Sequence, residues 1–258
     1  VCDNHAIIAP KLEQLPPPFN SEASSLHMHT VVARQGTRWF AEGWTVFQQR
    51  PGMWIMLGLI DLLVTILLVE LPYASDLTAV FTVLWTGGMI YAADHCRTTG
   101  SVRLADVVRG IREHFEPLFA AAVFGLLIAI VCDLTGERAS SALRLLAFGG
   151  ATGDARTVIA LIAGALYLAT ALIGTMALWL APALIVLNRA TAGDALRASF
   201  AATWRNGSAA LVYGAIAAGL LIACVLTLGV ATLVVAPLIY LSTYAASLDM
   251  FPRDPAIG

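Results

Sequence analysis

The chain has 258 residues, of which 59% are hydrophobic and only 12% are charged, and its mean hydropathy is +0.78. Soluble globular domains carry about 25% charged residues, so this composition excludes an ordinary water-soluble domain. The formal net charge of -2 is nearly neutral and indicates neither a nucleic-acid partner nor an acidic substrate. The composition therefore predicts an all-α integral membrane protein with the lipid bilayer as its solvent.

The first 35 residues are polar, include three consecutive prolines at 16–18 and lack helical periodicity. They are predicted to form a disordered cytoplasmic tail and do not have the pattern of a cleavable export signal. Four cysteines are scattered along the chain without the spacing of a disulfide framework or a zinc site, and neither a metal nor another cofactor is predicted. These cysteines are Cys2, Cys96, Cys132 and Cys224.

Six apolar blocks follow within a membrane domain at 36–251, and a short cytoplasmic tail at 252–258 closes the chain. A span needs about 17–25 residues, so each block is a candidate transmembrane helix. The fourth block is long and contains Pro182, which is expected to kink the helix or end its regular part. A long outer connection at 133–157, with a short surface helix at 141–148, is expected between the third and fourth spans. The blocks lie at about 53–71, 77–93, 117–132, 158–187, 211–226 and 230–246.

The basic residues predict the orientation of the spans. With the N-terminus inside, 12 of the 15 Lys and Arg residues are cytoplasmic, and only Arg138, Arg144 and Arg156 are outside. Lys and Arg are retained preferentially on the cytoplasmic side. Both termini are therefore predicted to be cytoplasmic.

An amphipathic stretch precedes the first span of each successive pair. Leu104, Val107 and Ile111 recur at helical spacing before the third span, and similar patterns lie at 40–54 and 194–204. The motifs D-V-V-R (106–109) and D-A-L-R (194–197) each place an acid three residues before an arginine, as an ion pair on a helix requires. We therefore predict three transmembrane hairpins, each preceded by a cytoplasmic amphipathic interfacial helix.

Four segments carry a resemblance to a known family: W-F-A-E-G-W-T-V-F-Q-Q-R-P-G-M-W (39–54), M-A-L-W-L-A-P-A-L-I-V-L (176–187), A-L-R-A-S-F (195–200) and Y-L-S-T-Y-A-A-S-L-D-M-F (240–251). Over about residues 35–251 the chain resembles an uncharacterised family of bacterial inner-membrane proteins, known as a hydrophobic domain of unknown function. It is more distantly similar to the membrane domain beside some glycerophosphodiester phosphodiesterases, whose catalytic domain this sequence lacks. The resemblance implies six spans and a bacterial inner-membrane location, and it implies no catalytic residue or substrate.

Asp61 is the most informative single residue, because it lies near the middle of the first apolar block. An ionisable side chain at that depth costs about 2.5–3.5 kcal/mol on insertion scales. One interpretation is a proton- or cation-linked site formed with Thr65, Thr86 and Tyr91. The other is an interior carboxyl group that hydrogen-bonds to Thr65, or to Thr82, Thr86 or Tyr91 of the next span.

The predicted cytoplasmic face has a rim of arginines and aromatic rings. Seven arginines are candidate contacts for anionic lipid headgroups, and five aromatic residues are predicted to anchor the protein in the headgroup layer. The arginines are Arg38, Arg50, Arg103, Arg109, Arg112, Arg197 and Arg205, and the aromatic residues are Trp39, Trp44, Trp54, Trp204 and Phe115. Small residues at four-residue spacing at 160/164, 214/218 and 215/219 predict that the fourth and fifth spans pack closely.

The sequence contains no compact catalytic motif, such as GxSxG, HExxH or a Walker loop. It favours a non-enzymatic scaffold, assembly or envelope-maintenance protein that contacts anionic lipids, with a membrane-protein partner or a homo-oligomer as its expected association. A small transporter or channel with Asp61 lining the pathway is the alternative function. A membrane enzyme would require polar groups of several spans to converge in one cavity.

Overall fold

The computed structural model describes residues 28–71, 76–148 and 155–252, and within these ranges the chain forms ten α-helices and no strand. The predictions for 1–27, for the part of the outer connection at 149–154 and for 253–258 fall outside the described residues. The helices are α1 (Gln35–Gln49), α2 (Pro51–Glu70), α3 (Leu77–Thr99), α4 (Leu104–Glu113), α5 (Phe115–Phe148), α6 (Ala155–Leu178), α7 (Ala181–Asn188), α8 (Ala192–Arg205), α9 (Gly207–Leu226) and α10 (Thr232–Met250).

Six helical segments in the described part of the chain are long and apolar enough to cross a membrane. They correspond one to one with the six predicted blocks, which confirms the all-α fold and six helical segments suited to spanning a membrane. The segments are Pro51–Glu70, Leu77–Thr99, Phe115–Arg144, Ala155–Asn188, Gly207–Leu226 and Thr232–Met250.

The helix that contains the third predicted span is much longer than that span. Helix α5 has 34 residues, or about 51 Å at 1.5 Å per residue, whereas the hydrocarbon layer of a bilayer is about 30 Å thick. The predicted loop from residue 133 and the separate short helix at 141–148 are therefore wrong, because these residues continue α5. Helix α6 packs along α5: a Cβ on Gly174 would lie 2.6 Å from Ile128 Cγ2, and one on Gly164 would lie 3.2 Å from Ala142 Cβ.

The fourth span is interrupted as Pro182 predicts. Helix α6 ends at Leu178, α7 begins at Ala181, and Pro182 lies in the first turn of α7. Proline is tolerated there because the first N–H groups of a helix have no partner within the helix. Ser199 of α8 binds both sides of the break, since its Oγ donates to Met176 O at 2.8 Å and accepts from Leu180 N at 3.0 Å.

The three helices α1, α4 and α8 pack mainly against spans other than the one that directly follows each of them. Helix α4 packs on α3, α8 packs on α6 and α7, and α1 closes the arrangement by packing on α10 and α9. Helices α3, α7 and α10 contact one another in the centre, while α2 packs mainly on α10. Each predicted pair consists of two spans that follow one another in the chain. Of the three pairs, α5 and α6 pack extensively on each other, whereas α2 packs little on α3 and α9 packs little on α10.

The small residues of α9 do not pack against the fourth span as predicted. A Cβ added to Gly214 or to Gly219 would meet no atom within 4 Å in the described structure. The principal neighbours of α9 are α1 and α10. The prediction of close packing is therefore wrong for the small residues of α9 at 214, 215, 218 and 219, which are exposed.

The two aspartates of the D-x-x-R motifs bind the N-cap residues of their helices. Asp106 Oδ2 accepts a hydrogen bond from Arg103 N at 2.8 Å, and Asp194 Oδ2 accepts one from Thr191 Oγ1 at 2.7 Å. Neither aspartate is ion-paired with the arginine three residues later, because the ion pairs among the described residues are Arg38–Glu42 and His95–Asp106. The predicted intrahelical pairs are therefore wrong; Asp106 binds a backbone N–H at the start of α4, and in α8 Thr191 Oγ1 accepts from Asp194 N at 3.3 Å.

The residues just before α1 are held against the bundle. Asn206 Oδ1 accepts from Val31 N at 2.7 Å, and its Nδ2 donates to His29 O at 3.3 Å. His29 N in turn donates to Met250 O at 2.8 Å. In residues 28–34 the chain therefore differs from the predicted disordered tail, and it joins the N-terminal side of α1 to the ends of α8 and α10.

Candidate functional site

Asp61 binds a residue of the last span. Tyr240 Oη donates to Asp61 Oδ2 at 3.0 Å, and the aspartate is 9% exposed. Gly58, one turn earlier in α2, allows the close approach of α10, because a Cβ at this position would lie 2.9 Å from Leu233 O. The carboxyl group is therefore an interior hydrogen-bonded group at the contact of α2 with α10.

The other three predicted members of the Asp61 site lie in different surroundings. Thr86 Oγ1 donates to Thr82 O of its own helix at 2.6 Å. The Tyr91 ring lies against His114, with ring centroids 6.3 Å apart. No hydrogen bond joins Asp61 to Thr65 within the described ranges, so Tyr240, which the sequence analysis missed, is the partner that the fold supplies.

Two of the five predicted anchoring aromatic residues are core residues. Trp39 and Trp54 are fully buried, whereas Trp44, Trp204 and Phe115 are exposed. Trp39 Nε1 donates to Asp249 Oδ2 at 2.9 Å, and its ring lies 6.0 Å from that of Trp179. The anchor prediction is therefore wrong for Trp39, which ties α1 to the end of α10, and for Trp54.

We call the end of the bundle that holds α1, α4 and α8 the basic end. All seven predicted arginines are exposed. Arg38 Nε lies 2.8 Å from Glu42 Oε1, and within the described ranges the other six form no ion pair. These six guanidinium groups therefore have no carboxylate partner in the described chain.

Two of these arginines line one cleft at the basic end. The corner between α1 and α2 supplies Arg50, the corner between α3 and α4 supplies Arg103, and the cleft between them has a volume of about 610 Å³. Its lining includes no acidic residue, and we call it the Arg50 cleft. The full lining is Gln49, Arg50, Pro51, Gly52, Met53, Ser101, Val102 and Arg103.

Hydrogen bonds hold the two corners of the Arg50 cleft together. Arg50 Nε donates to Gly100 O at 3.0 Å, and Gly100 adopts a left-handed conformation with φ of 68° that ends α3. Cys96 Sγ donates to Gln49 Oε1 at 3.6 Å, which joins α3 to the end of α1. The position of Arg50 relative to Arg103 is thus set by contacts between two corners that are about 50 residues apart in the chain.

The Arg50 cleft also lies at the start of a transmembrane helix. Helix α2 begins at Pro51, and its first turn has no side-chain cap. The N-terminus of a helix carries a partial positive charge, which adds to that of the two guanidinium groups. The cleft therefore has the electrostatics of a site for an anionic group such as a phosphate.

Comparison with models of known protein families, with curated proteins and with solved structures gives no match to this chain.

Proposed function

We propose that this protein is a non-enzymatic scaffold, assembly or envelope-maintenance protein that holds an anionic phospholipid headgroup in the Arg50 cleft. Its proposed location is the bacterial inner membrane, with the basic end and both termini in the cytoplasm. Helices α1, α4 and α8 would then lie at the membrane interface, each before one of three repeated pairs of spans. Membership of the inner-membrane family that the sequence resembles is part of this proposal.

The Arg50 cleft carries the proposal. Arginine binds phosphate through several N–H donors in a fixed plane, and the pairing is stronger where no acid competes for it. Arg50 and Arg103 lie in one cleft with no acid in its lining. Pro51 begins a candidate span. In the proposed orientation the cleft would therefore lie at the depth of the lipid phosphates, which favours a lipid over a soluble anion.

Replacing the two arginines of the cleft by glutamine is expected to weaken the binding of phosphatidylglycerol. An arginine near an anionic surface contributes about 1 kcal/mol, so each single substitution should weaken binding about fivefold and the pair about 30-fold. Retention of phosphatidylglycerol over phosphatidylcholine can be measured by native mass spectrometry of protein released from nanodiscs of mixed composition.

The matched control is Arg138→Gln. Arg138 is exposed on α5, on the side of the membrane opposite to the proposed headgroup site, and its loss should leave lipid retention unchanged. Equal retention of phosphatidylglycerol by wild type and by the double variant Arg50→Gln, Arg103→Gln would contradict the proposed site.

The buried pair of Asp61 and Tyr240 is the observation that favours the alternative function, a small transporter or channel. Asp61 is not among the residues that line the Arg50 cleft. Under the scaffold proposal, proteoliposomes should dissipate an imposed pH gradient at the same rate with wild type and with Asp61→Asn. Asparagine keeps an oxygen that accepts from Tyr240 Oη, so the substitution removes the ionisable group and retains the hydrogen bond. A protein-dependent flux that Asp61→Asn abolishes would instead favour the transporter.

A further inference from the structure

A second cleft opens at the basic end, about 410 Å³ in volume. The corner between α4 and α5 supplies one wall and the end of α7 supplies the other. Its lining residues are Glu113, His114, Pro117, Ile185, Arg189 and Ala190. We call it the Glu113 cleft.

The Glu113 cleft differs from the Arg50 cleft in its charge. It contains one carboxylate, Glu113, and one guanidinium, Arg189. Neither side chain forms an ion pair in the part of the chain that the structure describes, so the two are not paired with each other. A cleft that holds opposite charges apart is complementary to a ligand that carries both charges a few ångströms apart.

The histidine of the Glu113 cleft adds a second hydrogen-bond acceptor beside Glu113. His114 Nδ1 lies 3.2 Å from Gly110 O. A carbonyl oxygen only accepts hydrogen bonds, so Nδ1 is the donor and Nε2 of the neutral ring is an acceptor. Glu113 and His114 therefore offer two acceptors for the N–H groups of a cation.

The depth of the Glu113 cleft matches that of the headgroup layer. Pro117 lies in the first turns of one candidate span, and Arg189 directly follows the end of another at Asn188. Phe115 and Phe119 stack with ring centroids 5.5 Å apart, and both are exposed. Aromatic rings concentrate at the boundary between headgroups and hydrocarbon. A ligand that reaches this cleft from the bilayer therefore presents its headgroup to it.

We propose that the Glu113 cleft binds the phosphoethanolamine headgroup of an aminophospholipid. Arg189 binds the phosphate, and Glu113 with His114 Nε2 accepts hydrogen bonds from the primary ammonium group. A primary ammonium donates three hydrogen bonds, whereas the trimethylammonium of phosphatidylcholine donates none. The cleft consequently selects phosphatidylethanolamine over phosphatidylcholine, and it acts independently of the Arg50 cleft, which prefers a headgroup with net negative charge.

The test measures lipid retention by the full chain in nanodiscs that contain phosphatidylethanolamine, phosphatidylcholine and phosphatidylglycerol. Wild type should retain phosphatidylethanolamine about fivefold over phosphatidylcholine, the effect expected of one charged contact. Glu113→Ala, which removes both acceptor oxygens, should remove most of this preference, while Arg189→Gln should weaken retention of both zwitterionic lipids. Glu116→Ala, at an exposed neighbour outside the cleft lining, is the matched control and should behave as wild type.

Two results would overturn the proposal. The first is a wild type without preference for phosphatidylethanolamine, and the second is a preference that Glu113→Ala leaves intact. Soluble glycerophosphoethanolamine forms a separate arm, and if it binds the Glu113 cleft while the lipid does not, the lipid assignment is wrong. The double variant Arg50→Gln, Arg103→Gln should lose phosphatidylglycerol and keep phosphatidylethanolamine, so the two proposals fail independently.

Discussion

Replacing Gly43 by valine is expected to destabilise the protein by about 1–3 kcal/mol, the usual cost of inserting atoms into a packed contact. Gly43 lies where α1 crosses α10, and a Cβ there would lie 2.8 Å from Ser242 N. Backbone atoms of α10 cannot move aside as a flexible side chain would. Helix α1 should therefore separate from α10, with a lower midpoint in thermal unfolding and in titration with sodium dodecyl sulfate.

Gly214→Val provides the matched control for Gly43→Val. Gly214 also lies inside a helix, yet a Cβ there would meet no atom within 4 Å in the described structure. Both substitutions replace a helical glycine by the same β-branched residue, so their difference isolates the contact of α1 with α10. Equal unfolding midpoints for the two variants would show that α1 does not pack on α10 as described.

Ser199→Ala is expected to cost about 1–3 kcal/mol, the penalty for leaving a buried N–H group without a partner. Ser199 is fully buried, and its Oγ is the acceptor for Leu180 N at the break between α6 and α7. The single hydroxyl hydrogen of Thr203 is donated to Ser199 O at 2.8 Å, and Thr203 Oγ1 lies 3.4 Å from Met176 O. The substitution therefore leaves Leu180 N without its acceptor and removes the shorter hydrogen bond to Met176 O. The measurement is again the midpoint of unfolding in detergent.

Ser208→Ala is the matched control for Ser199→Ala. Ser208 is exposed in the first turn of α9, so removal of its hydroxyl group leaves no buried group unsatisfied. Its unfolding midpoint should stay close to that of wild type. If Ser199→Ala were as stable as Ser208→Ala, the break between α6 and α7 would not depend on the hydroxyl of α8.

The C-terminal end of α5 shows why hydropathy located the candidate spans but misjudged the length of one helix. The charges of Asp133, Glu137 and Arg138 end the apolar block, and this indicates where the chain leaves lipid. A helix continues in water when its own propensity and a packed neighbour support it, and α6 supplies that neighbour. Hydropathy indicates whether a residue lies in lipid or in water. It does not indicate whether the backbone of that residue is helical.

The composition and the apolar blocks by themselves determined an all-α chain with six candidate spans, the break at Pro182 and the placement of Arg50 and Arg103 outside the apolar blocks. These features depend on the transfer of each residue into lipid, or on the missing N–H of proline, and both are local properties. Only the tertiary structure decided which faces meet. It paired Asp61 with Tyr240, buried Trp39 and brought two distant corners together as the Arg50 cleft, because such contacts depend on packing between helices far apart in the chain.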